Sequence, residues 1–374
     1  VIADDLEFYM TDRVPLPERQ KPALSRNSIG LRLAGIGVVV LVAAGAFAYV
    51  GGYLDPQRLT PDKLVNRLEH NNGVFPGLRR NHPKGVCVAG YFESNGAGAA
   101  LSSAQVFSAS RTPVTGRFAL PTGNPYSADS AAPIRSLALR FTQADGQQWR
   151  TGMNAMPVFP VGTPQAFYDL LQATAPDPKT GKPDPAKPPA FFGSHPETGP
   201  FLAWVKTAKP SASYATQTYN SVNAFYLVGA DGKRQAVRWN MVPVEPAQTV
   251  EPAPDTKDYL EPDLDARLAA GPLRFNLLLT LANPGDPIND ASKQWPADRR
   301  TVNAGTLVLE SVQPQLSGAC RDINYDPLVL PSGITGSDDP LLAARSAAYA
   351  SSYKRRTAEV DQLPKTAPVT EKKS

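Results

Sequence analysis

The sequence is poor in the residues that most often announce chemistry by their spacing. Two cysteines in 374 residues cannot build a disulfide scaffold, and with three scattered histidines, His70, His82 and His195, they make no zinc-finger or zinc-ribbon pattern. A metal cluster held by soft side chains is therefore excluded. Charge is also sparse: only 19% of residues are charged, and 38 basic against 34 acidic residues leave a formal +4, too small and too evenly spread for a nucleic-acid surface. No segment repeats at a solenoid or propeller period. Proline is plentiful instead, with 38 residues, about twice the usual share. With 42% apolar residues the chain can bury a large core, and the prolines favour short strands and loops over long helical bundles.

One long apolar run stands out. Leu33 to Tyr53 holds 21 residues without a charge, enough at about 1.5 Å per helical residue to span roughly 30 Å of hydrocarbon. It predicts a membrane span. A cleaved signal is the alternative, because Ala46-Phe47-Ala48 resembles a small-residue cleavage site. Arg19, Lys21, Arg26 and Arg32 precede the run, and Arg58, Lys63 and Arg67 follow it. This weak bias, with Arg32 abutting the run, predicts a short tail (1–32) inside and the large domain outside, in a periplasmic or other extracytoplasmic space.

The remaining chain, 54–359, reads as one β-rich domain. Thr60-Pro61 followed by Leu64, Val65 and Leu68 predicts a capped helix, with His70 as its C-terminal cap. Residues 85–92, 136–141 and 273–281 alternate or run apolar, and 225–239 predicts a hairpin about Ala230-Asp231-Gly232-Lys233. Helical periodicity marks 163–174, 201–208 and 340–353. Residues 175–190 form a proline-rich surface loop, and 360–374 a disordered polar tail. His195 is expected to face solvent. Cys87, on an apolar strand, is expected to be a buried inert thiol rather than a redox nucleophile; Cys320 could pair with it only if geometry permits, and a disulfide is not expected.

In the helix beginning Asp339-Pro340, residues Arg345, Tyr349, Tyr353 and Arg356 recur at steps of four, four and three, on one face. An arginine one turn from a tyrosine can stabilise its phenolate, a hard anionic ligand for iron. The bland alternative is a surface pair packed over a helix. Four colinear blocks decide between them. Residues 78–93 (LRRNHPKGVCVAGYFE), 112–141 (TPVTGRF, YSAD, PIRSLALRF), 152–167 (GMNAMPVFPVGTPQAF) and 320–349 (CRDINYDPLVLPSGITGSDDPLLAARSAAY) together resemble the haem catalase family.

The resemblance implies an α+β fold, a catalase-like antiparallel β-barrel core with surrounding helices, preceded here by one transmembrane helix. It implies haem b as cofactor, with Tyr349 as the proximal iron ligand and Arg345 as its charge partner. His82 would be the distal acid and base, Asn154 would position the peroxide, and Ser127 would orient His82. Arg79, Arg117 and Arg356 would pair the haem propionates, and Phe159 and Phe167 would pack in the pocket, Phe167 on the haem face.

The resemblance has departures. Pro83 follows the distal histidine where larger catalases have alanine, the Asn154 match needs one extra residue before Pro157, and Asn223 stands where larger members carry histidine. Only 25 residues follow Tyr349, without the helical domain and interlocking arms of large catalases. The chain is therefore similar to the small catalase-related peroxidases, which implies a monomer or dimer. The expected reaction is reduction of hydrogen peroxide or organic hydroperoxides by small organic electron donors, with weak or no catalase activity. A hydroperoxide-rearranging haem enzyme of the same fold and a true catalase are the alternatives.

Overall fold

The computed structural model describes residues 26–53, 55, 58–245 and 257–362. The chain divides into two units, 1–58 and 59–374. In the first, α1 (Arg26–Val50) is one continuous helix whose described side chains are almost all exposed. Within its stretch Asn27–Val50 an 18-residue window reaches a mean hydropathy of 2.4, so it is long and apolar enough to cross a membrane, a test that a signal sequence also passes. It starts seven residues before the predicted run. Arg19 and Lys21 lie outside the described residues.

In the second unit the strands are β1 (Gly85–Ser94), β2 (Arg111–Ala119), β3 (Ser136–Thr142), β4 (Gln148–Asn154), β5 (Tyr219–Asn220), β6 (Phe225–Val228), β7 (Arg234–Pro243), β8 (Leu273–Leu281), β9 (Thr301–Pro314) and β10 (Ile334–Gly336). All pairings are antiparallel. Contact of β7 with β8 closes the ring β1-β2-β3-β4-β5-β7-β8-β9 into an eight-stranded barrel, while β6 and β10 extend one side. Closure follows from strict alternation. In β8, Leu273, Phe275, Leu277, Leu279 and Leu281 point inward, and in β4 Trp149, Thr151 and Met153 do so. Trp149 stacks on Phe141 at 4.6 Å and meets Trp239 edge-on at 5.0 Å. Each such buried aromatic contributes on the order of 1.5–3 kcal/mol.

The helices are α2 (Pro61–Asn72), α3 (Pro164–Ala173), α4 (Lys187–Ser194), α5 (Gly199–Thr207), α6 (Leu260–Ala270) and α7 (Pro340–Gln362). Thr60 caps α2 by accepting from Lys63 N at 3.2 Å, and Thr163 caps α3 by accepting from Ala166 N at 3.1 Å. Gly73, at φ 83°, ends α2, so His70 lies in the last turn rather than at the cap. The hairpin, the 273–281 strand and the helix at 163–174 form close to their predicted bounds. Helix α7 runs past 353 and through 360–362, because ion pairs hold its C-terminal half; residues 363–374 lie outside the described set. His195 is half-buried, not solvent-facing, because its ring stacks on Phe191 at 4.0 Å.

Those ion pairs join α7 to α2 and to the segment that carries His82. Arg355 reaches Asp62 at 3.1 Å and Glu69 at 2.8 Å. Arg80, 3% exposed, donates to Glu69 at 2.6 Å and to Glu359, which also accepts from Gly77 N at 2.9 Å. An Arg80→Met variant leaves Glu359 without its cation and Glu69 with Arg355 alone. We expect a loss of about 2–3 kcal/mol by chemical denaturation, below the full cost of breaking a buried pair because both carboxylates are partly exposed.

Candidate active site

The outer face of the barrel makes the floor of a cavity. Register places Gly85, Ala119, Ser136 and Asn154 in one row across β1 to β4, and Cys87, Arg117, Ala138 and Gly152 in the next. The floor residues are small. A Cβ on Gly152 would sit 3.3 Å from Arg345 Nη2 and 3.6 Å from the Tyr349 hydroxyl, and one on Gly85 would sit 2.7 Å from the Arg117 guanidinium. Over this floor lie α2, α3, α7 and the 79–82 and 323–325 segments, enclosing about 1400 Å³ with the open mouth included.

His82, Asn154, Tyr349, Arg345, Arg79, Arg117, Arg356, Phe159 and Phe167 all line this one cavity. Ser127 does not. Its carbonyl accepts from Lys84 Nζ at 2.8 Å, and its neighbour Asp129 is buried to accept from the N–H groups of Tyr259 and Leu260 at 2.7 and 2.8 Å, which holds the segment at the start of α6. The serine at the site is Ser136, which donates to Asn154 Oδ1 at 2.5 Å. Asn154 in turn makes a side-chain hydrogen bond with His82. Ser136 stood inside a quoted motif, but its strand partner could not be read from it.

His82 holds φ at 59° and Val222 at 64°, the two non-glycine residues with positive φ among those described, and both line the cavity. Strain of this kind costs on the order of 1–3 kcal/mol and is held by the surrounding structure. Burial, then the positive charge of Arg117, pushes the His82 imidazole down to about 3, against the pull of its Asn154 hydrogen bond. It is a neutral base at physiological pH.

Arg345 donates to Asn223 Oδ1 and, at 2.9 Å, to Gly152 O, and its guanidinium lies 5.9 Å from the centre of the Tyr349 ring. Asn223 Nδ2 donates to Asp339 Oδ2 at 2.8 Å, while Asp339 Oδ1 accepts from Leu341 N at 2.9 Å and caps α7. A chain of bonds thus runs from Arg345 through Asn223 to Asp339. Asp339 is 1% exposed, and burial raises its carboxyl above the ordinary range. Asn223→Leu removes a donor from this buried carboxyl and an acceptor from Arg345. We expect about 1–3 kcal/mol of destabilisation in a denaturation titration.

Arg79, Arg117 and Arg356 gather at one corner. Burial lowers all three below their ordinary range, Arg117 to about 10, and the charges of Arg117 and Arg356 lower Arg79 further. No Asp or Glu is among the described residues lining the cavity. Arg117 Nε is buried without a partner. Three cations whose nearest partners are mostly carbonyls form a site for an anion.

Cys87 and Cys320 form a disulfide with Cα atoms 5.3 Å apart, against expectation. Cys87 faces outward from β1, and the turn after neighbouring β9 brings Cys320 back over it, an adjacency created by strand pairing across 233 residues.

A profile of the catalase family matches residues 56–374. The catalase-related peroxidase of Synechococcus elongatus is 36% identical over 332 residues, covering 88% of this chain and 96% of that protein. Its namesake in Mycolicibacterium paratuberculosis is 32% identical over 316 residues, covering 83% and 99%. A bacterial catalase structure shares the fold with a TM-score of 0.69 at 22% identity, over 85% of this chain and 65% of that one. By sequence and by fold the chain belongs to the catalase family, and it is a peroxide-acting oxidoreductase of the catalase-related peroxidase kind.

Proposed function

We propose that the protein is a haem b peroxidase that reduces hydrogen peroxide or organic hydroperoxides with a small organic electron donor, with weak or no catalase activity. The observation that carries this reading is one cavity with a neutral buried base, His82, and an Arg345-supported tyrosine, Tyr349, on its wall. The residues fit the cofactor in four ways. Along β2 to β4 the small residues Ala119, Ser136, Ala138 and Gly152 line the cavity and leave room for a planar ring, and a Cβ at Gly152 would crowd Arg345 and Tyr349. The three guanidiniums, with no acid lining the cavity beside them, suit its propionates. Tyr349 offers a phenolic oxygen for iron, the ligand the handling of peroxide by catalases is associated with. Phe159 and Phe167, with ring centres 5.2 Å apart, supply an apolar wall.

When bound, haem supplies the redox centre that accepts oxidising equivalents from the peroxide and returns them to the donor. The chain supplies the proton handling. The His82 imidazole takes the proton from the peroxide hydroxyl and returns it to the departing oxygen, giving water or an alcohol. Asn154, fixed by Ser136, holds His82 and orients the peroxide. Overall, one peroxide and two hydrogen equivalents from the donor give an alcohol and water, or two waters.

A second opening supports organic hydroperoxides as substrates. It is lined by Leu59, Pro61, Leu64, Pro164 and Ala344 with Thr60, Thr163 and Gln165, and it shares Leu64, Pro164 and Ala344 with the main cavity. None of the described residues lining it is ionisable. Both threonine hydroxyls are turned to the N–H groups of their own helices, and Gln165 donates to Asp169 at 3.0 Å.

We also infer an extracytoplasmic catalytic domain, because a buried disulfide is at home in an oxidising compartment and α1 can serve as signal or anchor. A monomer or dimer is expected, and sedimentation of the detergent-solubilised chain would count the subunits.

The test is an absorbance spectrum of the purified protein with haem supplied, followed by peroxide consumption with and without an aromatic donor. A Soret band, donor-dependent turnover and alcohol as the product are expected. Oxygen release without any donor would make it a true catalase, rearranged products would make it a hydroperoxide isomerase, and a folded protein with no Soret band would end the haem reading.

A further inference from the structure

The segment after β9, residues 315–325, contacts every guanidinium at the anion corner. Gln315 Oε1 accepts from Arg117, and Gln315 Nε2 donates to Pro83 O at 2.7 Å, beside His82. The carbonyls of Cys320, Arg321 and Ile323 accept from Arg79 at 3.2, 3.4 and 3.0 Å. Those of Arg321 and Ile323 also accept from Arg356 at 2.7 and 3.4 Å. Five bonds to two cations therefore depend on where this short loop sits.

The loop belongs to no helix or strand, and its disulfide tie to the barrel is Cys320 to Cys87, near the start of β1. The junction is closely packed. Cys87 and Cys320 are 1% and 0% exposed and pack with Ile323 and Tyr325, and a Cβ on Gly318 would lie 2.8 Å from Cys87 Sγ. Against the tie works the repulsion of three like charges gathered where water is scarce. Backbone carbonyls, and the Asp322 carboxylate of the same loop 3.9 Å from Arg356, offset it only while they are held in place. An incoming dianion would offset it as well.

We propose that the Cys87–Cys320 disulfide is the positioning element of the anion corner, so that a carboxylate-bearing cofactor is held tightly only while the disulfide is oxidised. The identity of that anion rests on the haem reading, whereas the effect on the loop does not. Reduction breaks the S–S bond and takes two electrons and two protons from a dithiol such as dithiothreitol, which closes to its own cyclic disulfide. Two thiols remain, with no bond between loop and β1. The loop can then yield to the repulsion beneath it, and the carbonyls leave Arg79 and Arg356. A chain in a reducing compartment would fold its barrel and fail to retain its cofactor, which confines peroxide chemistry to the oxidising side of the membrane.

The experiment compares the full chain in its oxidised form, after dithiothreitol, and as the Cys87→Ser/Cys320→Ser double variant. Two readouts are taken: amide hydrogen exchange without cofactor, and haemin affinity by Soret titration. Arg79→Gln, which leaves the disulfide intact, is the comparison for a damaged corner. We expect exchange within 316–325 to accelerate at least tenfold on reduction while β1 to β4 stay protected. Haemin affinity should fall at least tenfold in the reduced chain, in the double variant and in Arg79→Gln. Unchanged exchange in the loop, or haemin affinity within twofold of the oxidised chain, would overturn the inference. So would loss of the whole fold on reduction, since the disulfide would then support the barrel rather than the corner. If the oxidised chain itself takes up no haemin, the haem reading falls, and the exchange data still decide the role of the disulfide.

Discussion

Replacing His82 by alanine is expected to slow donor-dependent peroxide reduction by at least about 100-fold with the Soret band retained, because positioned acid–base catalysis contributes about 10²–10⁴. The ring sits where burial and the Arg117 charge push its ionisation down to about 3, so it is a neutral acceptor throughout the range in which the enzyme works. The wild-type rate should accordingly show no limb from this group between pH 5 and 8. A limb near 6.5 that vanishes in His82→Ala would refute the assignment.

The same group ties stability to pH, with a definite sign. In the unfolded chain a histidine binds its proton below about 6.5, whereas the folded chain resists until about 3. Between these values the unfolded state carries more protons, so folding stability falls as pH falls, by about 1.4 kcal/mol per pH unit at the steepest. Asp339 opposes this. Its folded-state value is raised by burial, so above the ordinary aspartate range the folded state binds the extra proton, and stability falls as pH rises through that window. Subtracting the pH–stability curve of His82→Ala from that of the wild type isolates the histidine. The difference should grow as pH drops from 6.5 toward 3 and be flat above 7.

Much of this site was legible because its residues lie in local, motif-bearing segments. Arg345 and Tyr349 share a helix face by spacing alone, and His82 precedes a strand whose alternation is visible. What escaped depended on pairings across the barrel. Ser136 supports Asn154 because β3 and β4 place them opposite each other, and no local pattern separates this serine from Ser127, nine residues earlier. The disulfide escaped for the same reason, since β1 and β9, far apart in the chain, become neighbours only through strand pairing. The hold of the 315–325 loop on the three arginines is made mostly by backbone carbonyls, which every residue possesses and no sequence pattern marks. Helix α7 was foreseen too short because its second half is polar, and its partners Asp62, Glu69 and Arg80 lie some 280 residues away.

Tyr349→Phe removes one oxygen and almost no volume, so the fold should survive and the loss should fall on the cofactor. The phenolic oxygen lies beside Gly152 on the cavity floor, where any larger residue would crowd both Tyr349 and Arg345. Arg345 is already engaged by Asn223 and the Gly152 carbonyl, so its guanidinium stays in place beside the ring when the oxygen is removed. We expect haemin affinity to drop by more than about 100-fold, past the 10–100-fold typical of disturbing a ligand's supporting partner, and any residual Soret band to shift. Asn223→Leu, which disturbs only that support, should fall within the smaller range. Equal losses in the two variants would mean that the Arg345–Asn223–Asp339 chain, rather than the tyrosine oxygen, governs how the cofactor is held.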